Sequence, residues 1–153
     1  MGIALASLPL VAADKEVPLA AAPIPAQVLT AKKLFISNAR VNGIGFAILQ
    51  RAGDANRPYD LFYAAVKGWG KYEIVDSPSD ADLVLEMRFD TVLLGLTILD
   101  AKTHFILWSI YEPVEGAALA RTWRRNIGTG VANLLRDYQA AVGQPATGGV
   151  AKQ

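Results

Sequence analysis

The chain has 153 residues, the size of one domain with little room for a second. Fifteen Lys and Arg against fourteen Asp and Glu leave a net charge of +1, which excludes the bulk attraction behind non-specific nucleic-acid binding. Cysteine is absent and His104 is the single histidine, so disulfides, thiolate catalysis and metal sites built on two imidazoles are excluded too. With 52% hydrophobic and 19% charged residues, the chain carries enough apolar surface to collapse into a core.

Met1 to Ala13 is an uncharged apolar run ending in Val11-Ala12-Ala13, a small-x-small pattern that a signal peptidase can cut. The positive n-region is missing, which leaves two readings: a start codon upstream of Met1, or a buried segment that imitates export. Pro9 interrupts the run, which is far short of the roughly 20 residues of a bilayer-spanning helix. Residues 14–30 hold three prolines among alanines and read as an extended linker. One domain is expected over 31–142, followed by a small, polar, Gly-rich tail at 143–153.

Within the domain, Lys33 to Asn38 is a short β-prone run, and residues 39–57 carry turn chemistry, including Asn42-Gly43 and Gly53-Asp54. Pro58 suits a first helical turn; Phe62, Ala65, Val66 and Trp69 follow at helical spacing, and Gly70 ends the helix. Tyr72 to Val75 returns as a strand, giving a parallel crossover unit. From Asp82 to Asp90 the residues alternate: Leu83, Leu85, Met87 and Phe89 on one face, Asp82, Val84, Glu86, Arg88 and Asp90 on the other. Val92 to Leu99 is apolar on both parities, and Gly95 within it predicts a bulge or a close approach. Asp100 to Thr103 is a turn, and Phe105 to Tyr111 completes a hairpin that Pro113 stops. Leu119, Trp123, Ile127, Val131, Leu134 or Leu135, Tyr138 and Val142 recur every three or four residues, making 117–142 a long helix. Gly128 and Gly130 interrupt it, marking a kink or a place where its backbone presses on the sheet.

The expected fold is therefore α+β: a mixed sheet of about five strands in the order β-α-β-β-β-β-α, with both helices on one face. A strand apolar on both sides sits poorly on a sheet covered on one side only. That mismatch predicts a self-associating face, hence a homo-oligomer, or a partner.

The runs Ala31 to Asn38, Tyr59 to Gly70, Lys71 to Val75, Ala81 to Glu86 and Leu99 to Thr103, with Leu107-Trp108-Ser109, resemble an uncharacterised family of small exported bacterial proteins over residues 31–140. More loosely, the strand at 72–75, an acidic turn and the strand at 81–86 are similar to small α/β envelope modules such as the amino-terminal domain of TolB and the lipoprotein activators of peptidoglycan synthases. The resemblance implies a periplasmic or secreted address, against a cytoplasmic alternative, and a habit of binding rather than catalysis. The acylated cysteine of the lipoproteins is missing.

Candidate chemistry is sparse. Asp76, Asp80 and Asp82 flank Ser77-Pro78-Ser79 and could ligate Ca²⁺, although capping of a tight turn is the preferred reading. Glu112 and Glu115 are the least poor acid–base pair. His104, at a hairpin end with Asp100 four residues earlier, reads as a surface residue. Gly43-Ile44-Gly45 and Gly128-Thr129-Gly130 lack the rest of a phosphate-loop signature, so no cofactor is expected. Charge is bipolar: residues 31–71 hold seven basic and two acidic residues, and 72–100 one basic and seven acidic. Arg121, Arg124 and Arg125 cluster at the start of the long helix, suited to an anionic polymer or to the chain's own acidic region. Trp69, Trp108 and Trp123 are expected in the core. The leading expectation is a non-catalytic exported module that binds an envelope or extracellular macromolecule. The alternative is a small-ligand carrier or hydrolase with a pocket under the 39–57 loop.

Overall fold

A computed structural model describes residues 22–39, 54–90, 92–115 and 120–143. The elements are α1 (Ala26–Thr30), β1 (Lys33–Ala39), α2 (Arg57–Trp69), β2 (Glu73–Ile74), a 3₁₀ turn (Pro78–Asp80), β3 (Leu83–Asp90), β4 (Leu93–Asp100), β5 (Ile106–Pro113) and α3 (Ala120–Gly143). The five strands form one sheet in the order β2-β1-β3-β4-β5. β1 pairs in parallel with β2 and β3, while β3–β4 and β4–β5 are antiparallel. This is the mixed five-stranded α+β arrangement expected, with α1 added in front. The signal-like run, most of the 39–57 loop, Leu119 and the tail from residue 144 lie outside the described residues.

The face that carries the core is set by parity. Leu34 and Ile36 of β1, Leu83, Leu85, Met87 and Phe89 of β3, and Leu94, Leu96 and Ile98 of β4 all point to one side and are buried. Phe62 and Val66 of α2 and Trp123, Ile127, Val131, Leu134 and Tyr138 of α3 pack onto them, so both long helices cover this side. Trp69 and Trp108 join the same core from its margin. Gly70 takes φ +70°, a left-handed conformation that glycine adopts without strain, and ends α2 where expected. In α3, a Cβ added to Gly130 would stand 2.9 Å from Leu94 Cδ1, whereas one on Gly128 would meet nothing within 4 Å. Of these two glycines, Gly130 and not Gly128 marks the place where the helix backbone presses on the sheet.

Gly95 marks a close approach and not a bulge. The ring of Tyr111 lies where a Cβ would stand, 3.2 Å from Cε1. The irregularity falls instead between Ile98 and Leu99, opposite β5, and both Leu107 and Trp108 pack against the main core.

The linker reading of 14–30 is corrected at its end, where Ala26–Thr30 is helical. Five residues in a Pro- and Ala-rich context carry no periodicity worth reading. Tertiary burial supplies what propensity lacks: Val28 is completely buried in the main core.

The second face is half covered, by a device the hydrophobic pattern does not reveal. The chain leaves β1 through α2 on one face to reach β2, then returns past β1 to β3. A crossover of the same hand travelling in the opposite direction must run over the other face. Residues 75–82 do so: Val75 and Ala81 pack with Phe35, Val84, Leu99 and Ala101 in a small cluster apart from the main core. This shelters Leu99 but leaves the β3–β5 part of the face open.

Candidate functional site

Two acidic side chains fasten backbone, Asp82 at the start of β1 and Asp100 in the β4–β5 turn. Asp82 Oδ2 accepts the backbone N–H groups of Lys32 and Lys33 at 2.8 and 2.9 Å, and these bonds hold its carboxyl below the usual range. Asp100, 9% exposed, accepts through Oδ1 from the Lys102 and Thr103 N–H groups and the Thr103 hydroxyl, and through Oδ2 from Gln27 of α1. The Thr103 N–H, then the Gln27 amide, bring its carboxyl down to about 2. Among the described residues no group of three or more His, Asp or Glu side chains is placed to hold a metal ion, and the Asp82 carboxylate of the Asp76, Asp80 and Asp82 set is turned to the start of β1.

Glu112 and Glu115, the acid–base candidates, lie at the end of β5 and just beyond it. The Glu112 carboxylate accepts from Asn133 Nδ2 of α3 at 2.8 Å, and the Glu115 backbone carbonyl accepts from Asn126 Nδ2 at 2.7 Å. Both tie β5 and its exit to α3. His104 is exposed, with φ +59° in the β4–β5 turn. Arg121, Arg124 and Arg125 lie in the first two turns of α3, which has no acidic residue in its first turn; Arg124 and Arg125 are exposed.

Two surfaces remain with chemistry to offer. The first is the β4–β5 hairpin. Among the described residues the large exposed hydrophobic side chains are Val92, Leu93, Phe105, Ile106 and Tyr111, with Phe105 73% and Ile106 66% exposed. All five belong to this one hairpin. β5 is also the last strand of the sheet, so one row of its backbone N–H and C=O groups has no strand beside it among the described residues. On the open face the Tyr111 ring rests against Gly95, flanked by the Arg88–Glu86 ion pair at 3.6 Å.

The second is a cleft of about 580 Å³ at the carboxyl ends of the parallel strands β1 and β2. Tyr59, Asp60 and Tyr63 reach it from α2, Phe35 from β1, and Val75 and Asp76 from the segment after β2. The Tyr59 hydroxyl donates to the Ile36 carbonyl at 3.2 Å, which fixes the ring. Tyr63 stands beside it, with ring centroids 6.1 Å apart and planes inclined by 40°. Burial, then the neighbouring Tyr63, raises the Tyr59 hydroxyl above its usual range. Sequence reading missed this cleft, because its residues lie some forty positions apart and meet only through the parallel pairing of β1 and β2.

No family model matches the chain, and no curated protein matches it. Among solved structures it is similar to a PelC dodecamer from Paraburkholderia phytofirmans, at 14% identity and a TM-score of 0.48, over 71% of this chain and 87% of that one. A likeness of that degree carries no argument about function. No helix of the described residues is long and apolar enough to cross a membrane.

Proposed function

We propose that this chain is a non-catalytic assembly module that acts at its β4–β5 hairpin, where a second copy adds to the free edge of β5. The supporting observation is the gathering of Val92, Leu93, Phe105, Ile106 and Tyr111 on one hairpin at the sheet's edge. Edge strands that stay solitary usually carry charged side chains or prolines that repel another strand. β5 carries one charge, Glu112, whose carboxylate is bonded to Asn133, and its proline stands at the last position. A strand with a single charge near its end presents little repulsion to its own copy.

The module is exported, an address supported by the signal-like Met1 to Ala13 and by the resemblance to small exported proteins. Its partner beyond itself is an envelope or extracellular macromolecule. Arg121, Arg124 and Arg125 suit an anionic one, since they stand at the positive end of a 24-residue helix.

Sedimentation velocity tests this reading. The wild-type chain is expected to associate with a Kd of about 10 μM or tighter, and Ile106→Lys to remain monomeric with an unchanged circular dichroism spectrum. A wild-type chain that stays monomeric at about 100 μM would overturn it.

A further inference from the structure

The cleft between α2 and the ends of β1 and β2 lies at the opposite side of the sheet from β5, and the assembly surface makes no use of it. We propose that it is a binding site for a small organic ammonium ion.

Among the described residues the lining has one sign of charge: it includes Asp60 and Asp76 and no Lys, Arg or His. Neither carboxylate belongs to an ion pair among the described residues; the salt bridges near the cleft join Lys33 to Glu73 and Arg57 to Asp54. Two carboxylates at the rim of one concavity contribute a negative potential there that a cation relieves.

The remaining lining selects among cations. A hydrated metal ion wants several more oxygen ligands, and the α2 side of the cleft offers the rings of Tyr59 and Tyr63 instead. An alkylammonium group suits this mixture, because its methyl or methylene surface packs on ring faces whose quadrupole attracts the charge. The Tyr59 ring is held in place by its bond to the Ile36 carbonyl, so little side-chain freedom is lost when a ligand arrives. The volume, about 580 Å³, lies within the range of small-molecule sites.

Choline and its uncharged carbon isostere, in which a tert-butyl group replaces the trimethylammonium, isolate the role of charge. Tyrosine ring resonances of the full chain, followed by NMR, are expected to shift saturably with choline at a Kd of about 1 mM, and not with the isostere. Asp76→Asn and Asp60→Asn each weaken choline binding about tenfold, equivalent to about 1.4 kcal/mol. Both positions are exposed, so these variants keep the fold, and an unchanged melting curve checks it. Absence of a saturable shift below about 10 mM, equal binding of the isostere or of glucose, or wild-type affinity in the double variant would each overturn the assignment. A monomeric chain that binds choline sinks only the assembly reading; an associating chain that does not bind it sinks only this one.

Discussion

Gly130 of α3 lies against Leu94 of β4 so closely that a methyl group on the glycine would stand 2.9 Å from Leu94 Cδ1 and 3.2 Å from Val114 Cγ2. Both neighbours are buried, so neither can swing into water. Two positions earlier, Gly128 has open space around it. Gly128→Ala is therefore expected to stabilise the protein by about 1 kcal/mol through helix propensity alone. Gly130→Ala gains the same propensity but overpacks the contact at about 1–3 kcal/mol, and should be the less stable of the two by that margin. Urea unfolding of both variants checks the ranking, and equal stabilisation would show that α3 does not pack this tightly.

Acid should loosen the corner where α1 meets the β4–β5 turn. The Asp100 carboxyl titrates at about 2 in the folded chain against 3.8 ordinarily, because the Thr103 N–H and the Gln27 side chain bond its charged form. A depressed folded value means stability that is complete above pH 4 and is lost as the pH falls toward 2. Asp82 acts in the same direction through the Lys32 and Lys33 N–H groups. In Asp100→Asn the urea midpoint should start lower at neutral pH and fall less between pH 4 and 2. An acid limb as steep as that of the wild type would contradict this.

At the alkaline end the Tyr72–Tyr138 pair governs. Tyr138 donates to the Tyr72 hydroxyl at 3.1 Å inside the core, and burial raises both above the ordinary 10.0. The unfolded chain releases these protons near pH 10 while the folded chain keeps them, so stability is full below that pH and declines above it. Tyr138→Phe should flatten the alkaline limb at a cost of about 1 kcal/mol at neutral pH. In a spectrophotometric titration, Tyr72 and Tyr138 should ionise only as the protein unfolds, and their ionisation before unfolding would contradict this.

Most of the fold was legible because its strongest signals are local. The alternation of β3 from Leu83 to Phe89 and the periodicity of α3 from Trp123 to Val142 each name the buried face without knowledge of the partners. What escaped reading depends on topology. The five residues of α1 are helical because Val28 reaches the core, which no local pattern announces. The cover over Phe35, Val84 and Leu99 follows from β1 lying between β2 and β3, an order set by pairing rather than by residue type. The expectation of a two-sided problem at β4 was sound in kind: Leu99 is sheltered, while Leu93 stays at the surface. Asp76 gave a different lesson, since its sequence neighbours suggested a cation loop and its spatial neighbours are tyrosines.

Amide hydrogen exchange of the β5 segment, Ile106–Pro113, as a function of protein concentration reads out whether a second copy adds to this edge. In a lone chain the edge-facing amides of β5 exchange freely while those paired with β4 are protected. If a second copy adds to this edge, protection of the segment should rise with concentration while that of β3, paired on both sides, stays constant, and Ile106→Lys should abolish the rise. Protection of β5 that is the same at about 1 μM and about 100 μM, in a chain whose fold is intact, would contradict the account.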